Sequence, residues 1–150
     1  RPGPVGIVSR SASLTTEVVD QVTRAGLGQS TTVGVGGDPI HGLSMADCLE
    51  LFFADPATEG VVLIGEIGGS EEQEAAEYLQ AAKTRKPVVA LVAGRHAPPE
   101  RRMGHAGTMT LKGRGDAKSK IAALRAAGVA ICPSPHLVGE TIRQVLAGGR

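Results

Sequence analysis

Two side chains that lie among glycines are candidates for chemistry. His105 lies between Gly104 and Gly107, where a flexible backbone lets the imidazole approach a neighbouring group and change position. A neutral imidazole attacks phosphorus through one ring nitrogen only when the other nitrogen holds the proton and is oriented, usually by a carboxylate. Glu66, in the glycine-rich residues 65–69, is the best carboxylate candidate. The alternatives are an exposed loop histidine and a surface carboxylate.

Residues 9–13 have the composition of an anion site. They follow an apolar run and read Ser-Arg-Ser-Ala-Ser at the expected start of a helix. Hydroxyl groups, free backbone N–H groups and the positive end of the helix dipole together favour a phosphoryl group. We therefore expect Ser11, Ala12 and Ser13 to bind phosphate. Ordinary N-capping by Ser11 or Ser13 is the alternative interpretation.

We expect structural roles for the other ionisable side chains. Negative charge in a first helical turn complements the helix dipole, which accounts for Glu71, Glu72 and Glu74. A basic stretch usually keeps a loop solvated, and this one contains Arg95, Arg101, Arg102, Lys112 and Arg114. Exposed or helix-end positions are expected for the remaining histidines, which are His41, His96 and His136. The glycines near residue 36 miss the G-x-G-x-x-G spacing, so a nicotinamide dinucleotide is rejected.

Alternating apolar runs and helical periodicities predict the elements that position these residues. The predicted strands cover residues 5–8, 31–36, 61–64, 87–93 and 129–132, with helices between them. In the third helix, Ser70 followed by Gln73 forms a capping-box signature. The last helix is expected to begin with a Ser134 cap and a first-turn Pro135.

This alternation predicts an α/β fold with a five-stranded parallel sheet between two helical layers. Near-continuous apolar strands joined by right-handed crossovers are typical of such three-layer sandwiches. We expect a flavodoxin-like strand order, 2-1-3-4-5, with ligands beyond the carboxyl ends of the strands. One connection is exceptional, because roughly 20 residues without apolar periodicity separate Ala93 from Asp116. Loops of this length often carry function, so we expect the chemistry here.

Composition indicates one domain and argues against two classes of partner. The 150 residues are 41% hydrophobic but only 2% aromatic, so aliphatic side chains must form the core. The 16 Lys and Arg nearly balance the 15 Asp and Glu, without interleaved aromatic residues, which argues against nucleic acid. No apolar stretch approaches the ~20 residues of a membrane span. Cys48 and Cys132 lack metal-ligand spacing and are expected to be small buried groups.

Four strings occur in an order that resembles one family. They are Gly-Ile-Val-Ser-Arg-Ser at residues 6–11, Gly-Gly-Asp-Pro at 36–39, Gly-Glu-Ile-Gly-Gly at 65–69 and Arg-Met-Gly-His-Ala-Gly at 102–107. Together they resemble the carboxyl-terminal ligase domain of the succinyl-CoA synthetase α subunit, from Val5 to about Leu146. The resemblance implies that residues 1–150 are one such domain, a fragment without the amino-terminal Rossmann domain that binds coenzyme A.

The resemblance also implies roles for the same residues. The family's phosphorylated histidine matches His105, the glutamate that hydrogen-bonds to its ring matches Glu66, and a phosphate-holding helix terminus matches Ser11, Ala12 and Ser13. In that family, phosphate displaces coenzyme A from succinyl-CoA, and the acyl phosphate then phosphorylates the histidine. The phosphoryl group finally passes to ADP or GDP with magnesium. The nucleotide site belongs to a β subunit, which joins the α subunit in a heterodimer or heterotetramer.

The isolated domain is therefore expected to be an incomplete acid-CoA ligase without a tightly bound cofactor, from the bacterial cytoplasm or the mitochondrial matrix. Malate or another acid could replace succinate. The alternative from another class is a non-catalytic flavodoxin-like binding module in which His105 is a remnant. A response-regulator receiver is excluded, because it needs paired acidic residues where Ser9 and Arg10 stand and Asp where Glu66 stands.

Overall fold

A parallel sheet forms the centre of the computed structural model, which describes residues 1–83, 85–98 and 115–148. The strands are β1 (Pro2–Ser9), β2 (Gln29–Gly34), β3 (Gly60–Gly65), β4 (Val88–Val92) and β5 (Ala130–Ile131). They pair in parallel in the order β2-β1-β3-β4-β5. The predicted fold class and strand order are confirmed.

Helices cover both faces of the sheet. In the described part of the chain they are α1 (Ala12–Arg24), α2 (Met45–Ala54), α3 (Glu71–Ala81), α4 (Ala117–Ala126) and α5 (Val138–Gly148), with a 3-10 helix at Pro135–Leu137. Helices α2, α3 and α4 share one core with Val8 and Leu63. Helices α1 and α5 share the other core with Ile7 and Val62. Successive strand residues thus alternate between the two helical layers, which makes the fold a three-layer sandwich.

Aliphatic side chains fill both cores, as the composition predicts. Ile7, Leu63 and Leu79 are fully excluded from solvent, and burial of each such side chain contributes about 1.5 to 3 kcal/mol. Both Cys48 and Cys132 are buried free thiols, which confirms the expectation for them. Burial raises the pKa of the Cys48 thiol, which disfavours the reactive thiolate.

All five strands differ in extent from their predictions, by one residue at each end in β3, β4 and β5 and by more in β1 and β2. β1 begins at Pro2 instead of Val5, and β2 begins and ends two residues earlier than predicted. Pairing explains the second difference, because Gln29 and Gly34 are the first and last partners of β1, and Gly34 pairs with Ser9 at the end of that strand. Apolar periodicity missed the shift since β2 lies at the sheet edge and begins with polar residues.

The capping box predicted at the start of α3 is wrong. The Ser70 hydroxyl instead donates to Glu74 Oε1 at 2.6 Å. Ser70 has φ −123° and ψ 3°, outside the extended region from which a capping side chain reaches the third helical residue. A capping box does form at α2, where Ser44 and Asp47 exchange side-chain and backbone hydrogen bonds.

The predicted start of the last helix also needs correction. Ser134 and Pro135 precede the 3-10 helix, and α5 begins only at Val138. The Ser134 hydroxyl lies 2.8 Å from His136 Nδ1, so it is used by that ring instead of by a helix cap. The proline is at a first-turn position as predicted, but the turn is the tighter 3-10 type.

Candidate functional site

Glu66 lies in a tight turn at the carboxyl end of β3. The turn contains Gly68 and Gly69, whose φ angles of 84° and 64° lie in the left-handed region that favours glycine. Gly68 donates its N–H to the carbonyl of Gly115 at 2.7 Å, which joins the turn to the residues before α4. The glycines that marked Glu66 in the sequence therefore meet a real backbone requirement.

The Glu66 carboxylate lies between a buried cation and a cavity. Arg10 follows β1 directly, and its Nη2 is 3.5 Å from Glu66 Oε1, with side-chain exposures of 4% for Arg10 and 10% for Glu66. On its other side Glu66 lines a cavity of about 400 Å³, together with Ile67, Ala93, Gly94, Arg95, His96 and Ala97. Adjacent parallel strands bring Arg10 and Glu66 together, as expected for a site beyond the carboxyl ends.

Four ionisable side chains meet beneath this turn. Arg10, Glu66, Glu72 and Lys120 are here called the buried charge cluster. Glu72, from the first turn of α3, accepts a hydrogen bond from Arg10 Nη1 at 2.9 Å. Lys120, from α4, forms a short ion pair with the other oxygen of Glu72, and both side chains are 0% exposed. Two positive and two negative charges thus offset one another, which buried charges require.

The same cluster holds the backbone of the turn. The N–H of Glu66 donates to Glu72 Oε1 at 2.9 Å. Lys120 Nζ donates to the carbonyls of Glu66 and Gly68 at 2.8 and 2.5 Å. Arg10 Nη1 reaches the same two carbonyls at 3.4 and 2.8 Å. Burial lowers the pKa of the Lys120 ammonium, and the adjacent Glu72 carboxylate opposes that shift.

Glu72 lies in the first turn of α3 as predicted, but the dipole interpretation is incomplete because it missed the ion pairs with Arg10 and Lys120. Helical spacing offered a signal, because Glu72 shares the buried face of α3 with Ala75, Ala76 and Leu79. Lys120 likewise shares the buried face of α4 with Ala117 and Leu124. A charged residue on the apolar face of each of two helices indicates that the charges are paired inside the fold.

His41 is less exposed than expected, and Glu71, at a helix start as predicted, makes contacts that the sequence did not indicate. His41 Nε2 lies 2.8 Å from Glu71 Oε1, and the two side chains are only 21% and 15% exposed. The other oxygen of Glu71 accepts the backbone N–H of Met45 at 2.8 Å, at the start of α2. Glu71 thus joins α2 to α3 as well as lying at a helix start. His96 and His136 are exposed, as expected.

The predicted nucleophile His105 lies outside the described residues, as do Arg101, Arg102, Lys112 and Arg114. The described residues that flank this segment lie at the site. Ala97 lines the same cavity as Glu66, and Gly115 accepts the hydrogen bond from Gly68. The chain therefore leaves and returns beside the turn that contains Glu66.

Helix α1 begins at the predicted anion site. Ser11 is its N-cap, and the Ser11 hydroxyl accepts the N–H of Leu14 at 3.3 Å, so the capping interpretation holds for Ser11. Ala12 and Ser13 are exposed first-turn residues whose N–H groups have no acceptor within the helix. Capping uses only the N–H of Leu14, so it is compatible with an anion at Ala12 and Ser13.

We expect phosphate or sulfate to bind at residues 11–13. Dipole attraction contributes about 0.3 to 1 kcal/mol at an exposed helix end and up to about 2 kcal/mol at a partly buried one. A phosphate titration followed by amide NMR shifts should therefore show weak, saturable changes at Ala12 and Ser13. The start of α2 is the control, because Asp47 and Glu71 already place carboxylates there. Equal shifts at both helix starts, or crystals from high sulfate with only water at Ser13, would contradict the prediction.

The described residues contain neither a metal-binding cluster nor a membrane-spanning helix. Within residues 1–83, 85–98 and 115–148, no three His, Cys, Asp or Glu side chains are grouped so that they could hold a metal ion. No helix in these ranges combines the length and apolar character that a membrane crossing requires.

Comparison with known sequences identifies relatives along nearly the whole chain. The CoA-ligase family model matches residues 8–130. The succinate-CoA ligase [ADP-forming] α subunit of Aquifex aeolicus is 53% identical over 144 residues, which are 96% of this chain and 47% of that protein. The mitochondrial α-2 subunit of that ligase from Trichomonas vaginalis is 53% identical over 146 residues, which cover 95% of this chain and 47% of that protein. The chain spans about half the length of these curated relatives.

Solved structures with a similar fold are found as well. An ATP citrate lyase from Methanosaeta concilii, in complex with (3S)-citryl-CoA, superposes with a TM-score of 0.91 at 33% identity, covering 99% of this chain and 24% of that one. A dinucleotide-forming acetyl-coenzyme A synthetase 1 from Ca. Korarchaeum cryptofilum shares the fold, with a TM-score of 0.66 at 20% identity over 88% of this chain and 28% of its own. Because the family model matches most of its residues, this chain belongs to the CoA-ligase family.

Proposed function

We propose that this domain carries the phosphoryl group in an acid-CoA ligase, with His105 as the phosphorylated residue and Glu66 as the carboxylate that orients its ring. The supporting observation is the position of Glu66, a mostly buried carboxylate that lines a cavity with Ala97, on one flank of the His105 segment. Its turn is also hydrogen-bonded to Gly115, on the other flank. Membership of the CoA-ligase family, with relatives named succinate-CoA ligase α subunits, supports the same function.

Chain length is compatible with contact between these two residues. His105 follows Ala97 by eight residues and precedes Gly115 by ten. An extended chain spans about 3.3 to 3.6 Å per residue, so arms of eight and ten residues are long enough to reach from anchors beside the Glu66 turn to its carboxylate. The glycines at 104 and 107 add the backbone freedom that a phosphoryl carrier needs to change position.

The proposed reaction has three steps. Phosphate attacks the thioester carbonyl of succinyl-CoA and the C–S bond breaks. Coenzyme A departs, and succinyl phosphate is formed. A ring nitrogen of His105 then attacks phosphorus, and the P–O bond to succinate breaks. Finally a terminal oxygen of ADP or GDP, bound with magnesium, takes the phosphoryl group, and the P–N bond breaks to restore the histidine. Phosphoryl transfer of this kind depends mainly on positioning and charge stabilisation.

Each proposed residue has one role in these three steps. Glu66 accepts a hydrogen bond from the proton-bearing ring nitrogen of His105 and stabilises the positive charge that the ring acquires. The first turn of α1, at Ser11, Ala12 and Ser13, holds the phosphoryl oxygens through N–H groups and the helix dipole.

The remaining functions require parts beyond this domain. We propose a β subunit that binds the nucleotide, and a separate Rossmann domain that binds coenzyme A, because the chain spans 47% of the length of its α-subunit relatives. Bacterial and mitochondrial relatives favour the bacterial cytoplasm or the mitochondrial matrix as the location. Succinate is the proposed acid because of the names of these relatives, and malate or another acid is the alternative.

Labelling of the complete ligase tests this proposal. The full α subunit, assembled with its β subunit, is incubated with succinyl-CoA and radiolabelled phosphate. We expect an acid-labile, base-stable label on the peptide that contains His105. Malyl-CoA in place of succinyl-CoA tests the choice of acid. A label on any other peptide, or no protein label during productive turnover, would contradict the proposed function.

A further inference from the structure

We propose that Lys120 and Glu72 are positioning residues for phosphoryl transfer, because together they fix the backbone of Glu66 and so aim its carboxylate. This inference rests on the proposed function of Glu66. Neither residue lines the cavity, so both act through the turn and not on the phosphoryl group itself.

The hydrogen bonds converge on one residue. The N–H of Glu66 is held by Glu72, and its carbonyl is held by Lys120, at 2.9 and 2.8 Å. Lys120 also holds the carbonyl of Gly68, beyond Glu66 in the turn. Both peptide groups flanking the Glu66 Cα are therefore fixed by charged side chains. With both peptides fixed, the direction of the Cα–Cβ bond is set, and with it the approach of the carboxylate to the cavity.

Electrostatics gives Glu72 a second positioning effect. Arg10 lies 2.9 Å from Glu72 but 3.5 Å from Glu66, so its guanidinium is held more closely by Glu72. The two contacts use different nitrogens of the guanidinium, so Arg10 bridges the two carboxylates. Glu72 thereby also holds the cation that lies behind the Glu66 carboxylate, which lines the cavity.

A fold that needed only stability would not require these charges. Buried ion pairs are often no more stabilising than apolar residues of similar volume. Here α3 and α4 each place one charge on an otherwise apolar face, and both charges end on the turn that contains Glu66. A role in holding that turn accounts for this placement.

The first test is Lys120→Met in the full α subunit with its β subunit. Methionine approximates the length of lysine but cannot donate to the carbonyls of Glu66 and Gly68. We expect the single-turnover rate constant for phosphohistidine formation to fall by about 10- to 100-fold, since a misplacement of about 1 Å can have that effect. The rate constant reports only on folded enzyme. If Lys120 had a purely structural role, the substitution would lower the amount of phosphohistidine formed and leave the rate constant unchanged.

Lys86→Met is the matched control. Lys86 also donates to two backbone carbonyls, those of Phe52 and Asp55, but it precedes β4 at the opposite end of the sheet. We expect the rate constant for phosphohistidine formation in the Lys86→Met variant to stay at the wild-type value. An equal fall in the Lys86→Met and Lys120→Met variants would overturn the proposal.

A double-mutant cycle shows whether Lys120 acts through Glu66. If it does, Lys120→Met should slow phosphorylation strongly in the wild-type background and by less than about 2-fold in a Glu66→Gln background. Independent, multiplicative effects would overturn the inference while leaving the proposed role of His105 intact. Conversely, a wild-type rate for Glu66→Gln itself would contradict the proposed function of Glu66.

A charge-balanced variant covers the case in which Lys120→Met fails to fold. Glu72→Gln combined with Lys120→Met removes one charge of each sign and leaves Arg10 opposite Glu66. We expect this double variant to fold but to remain about 10-fold or more slower than wild type in phosphohistidine formation. Wild-type kinetics in the folded double variant would overturn the proposal.

Discussion

In the complete ligase we expect His105→Ala and His105→Asn to abolish the phosphoenzyme, and Glu66→Gln to slow its formation by about 10²- to 10³-fold. Attack on phosphorus gives the imidazole ring a positive charge as the P–N bond forms. A carboxylate that accepts the N–H of the other ring nitrogen stabilises this charge and fixes which nitrogen attacks. The amide introduced by Glu66→Gln would keep the shape of the side chain without its charge. Loss of one preorganised electrostatic partner typically costs about 2.7 to 4 kcal/mol, which gives the expected fold-change.

Single-turnover labelling measures this effect directly. Succinyl-CoA and radiolabelled phosphate are mixed with each variant, and the acid-labile, base-stable label is followed over time. Glu74→Gln is the control, because Glu74 is an exposed carboxylate in the first turn of α3 and bonds only to Ser70 among the described residues. Wild-type labelling is expected for it. Full labelling of His105→Ala would show that another residue carries the phosphoryl group, and unchanged kinetics for Glu66→Gln would exclude its electrostatic role.

The sequence predicted the fold well where a single periodic pattern determined each element. Apolar runs such as Val61 to Ile64 are short and lie between glycines, which favours buried strands, and their alternation with helices predicts the correct strand order. The glycines around Glu66 coincide with a turn at a strand end in which Gly68 and Gly69 have positive φ angles. These features follow from local backbone preferences and burial, which a sequence displays directly.

The electrostatics of the site could not be predicted in the same way. A glutamate in a first helical turn has the same local signature whether it is solvated or buried, so the local pattern at Glu72 indicates only an interaction with the helix dipole. Its ion pairs with Arg10 and Lys120 join residues that are 62 and 48 positions apart in the chain. Only the packing of α3 against α4 over the end of β1 brings these side chains together.

Backbone geometry explains the failed capping box. A capping hydroxyl must accept a backbone N–H of the first helical turn, which requires an extended N-cap residue. Ser70 follows the glycine-rich turn and has φ −123° and ψ 3°, so its hydroxyl forms no such bond. The hydroxyl instead donates its proton to the Glu74 carboxylate.

We expect Glu72→Gln to lower the free energy of unfolding of this 150-residue domain by about 3 to 5 kcal/mol. The amide still accepts the N–H of Glu66, but Arg10 and Lys120 are then left as two buried cations facing only one carboxylate. Removal of one partner from a buried ion pair has this large effect because the remaining charge is desolvated without compensation. Urea denaturation followed by circular dichroism measures the loss. Glu74→Gln, in the same turn of α3 but exposed, should change the unfolding free energy by less than about 1 kcal/mol.

Adding Lys120→Met to Glu72→Gln separates charge imbalance from lost packing. The double variant again has one buried cation and one buried carboxylate, Arg10 and Glu66, and methionine approximates the length and apolar stem of lysine. If uncompensated charge causes the instability, the double variant should be more stable than Glu72→Gln alone, even though it carries one more substitution. Such a recovery is a negative coupling that only interacting residues show. Additive losses from the two substitutions would instead mean that Glu72 and Lys120 stabilise the fold separately, through packing against α3 and α4, and that their charges are not coupled.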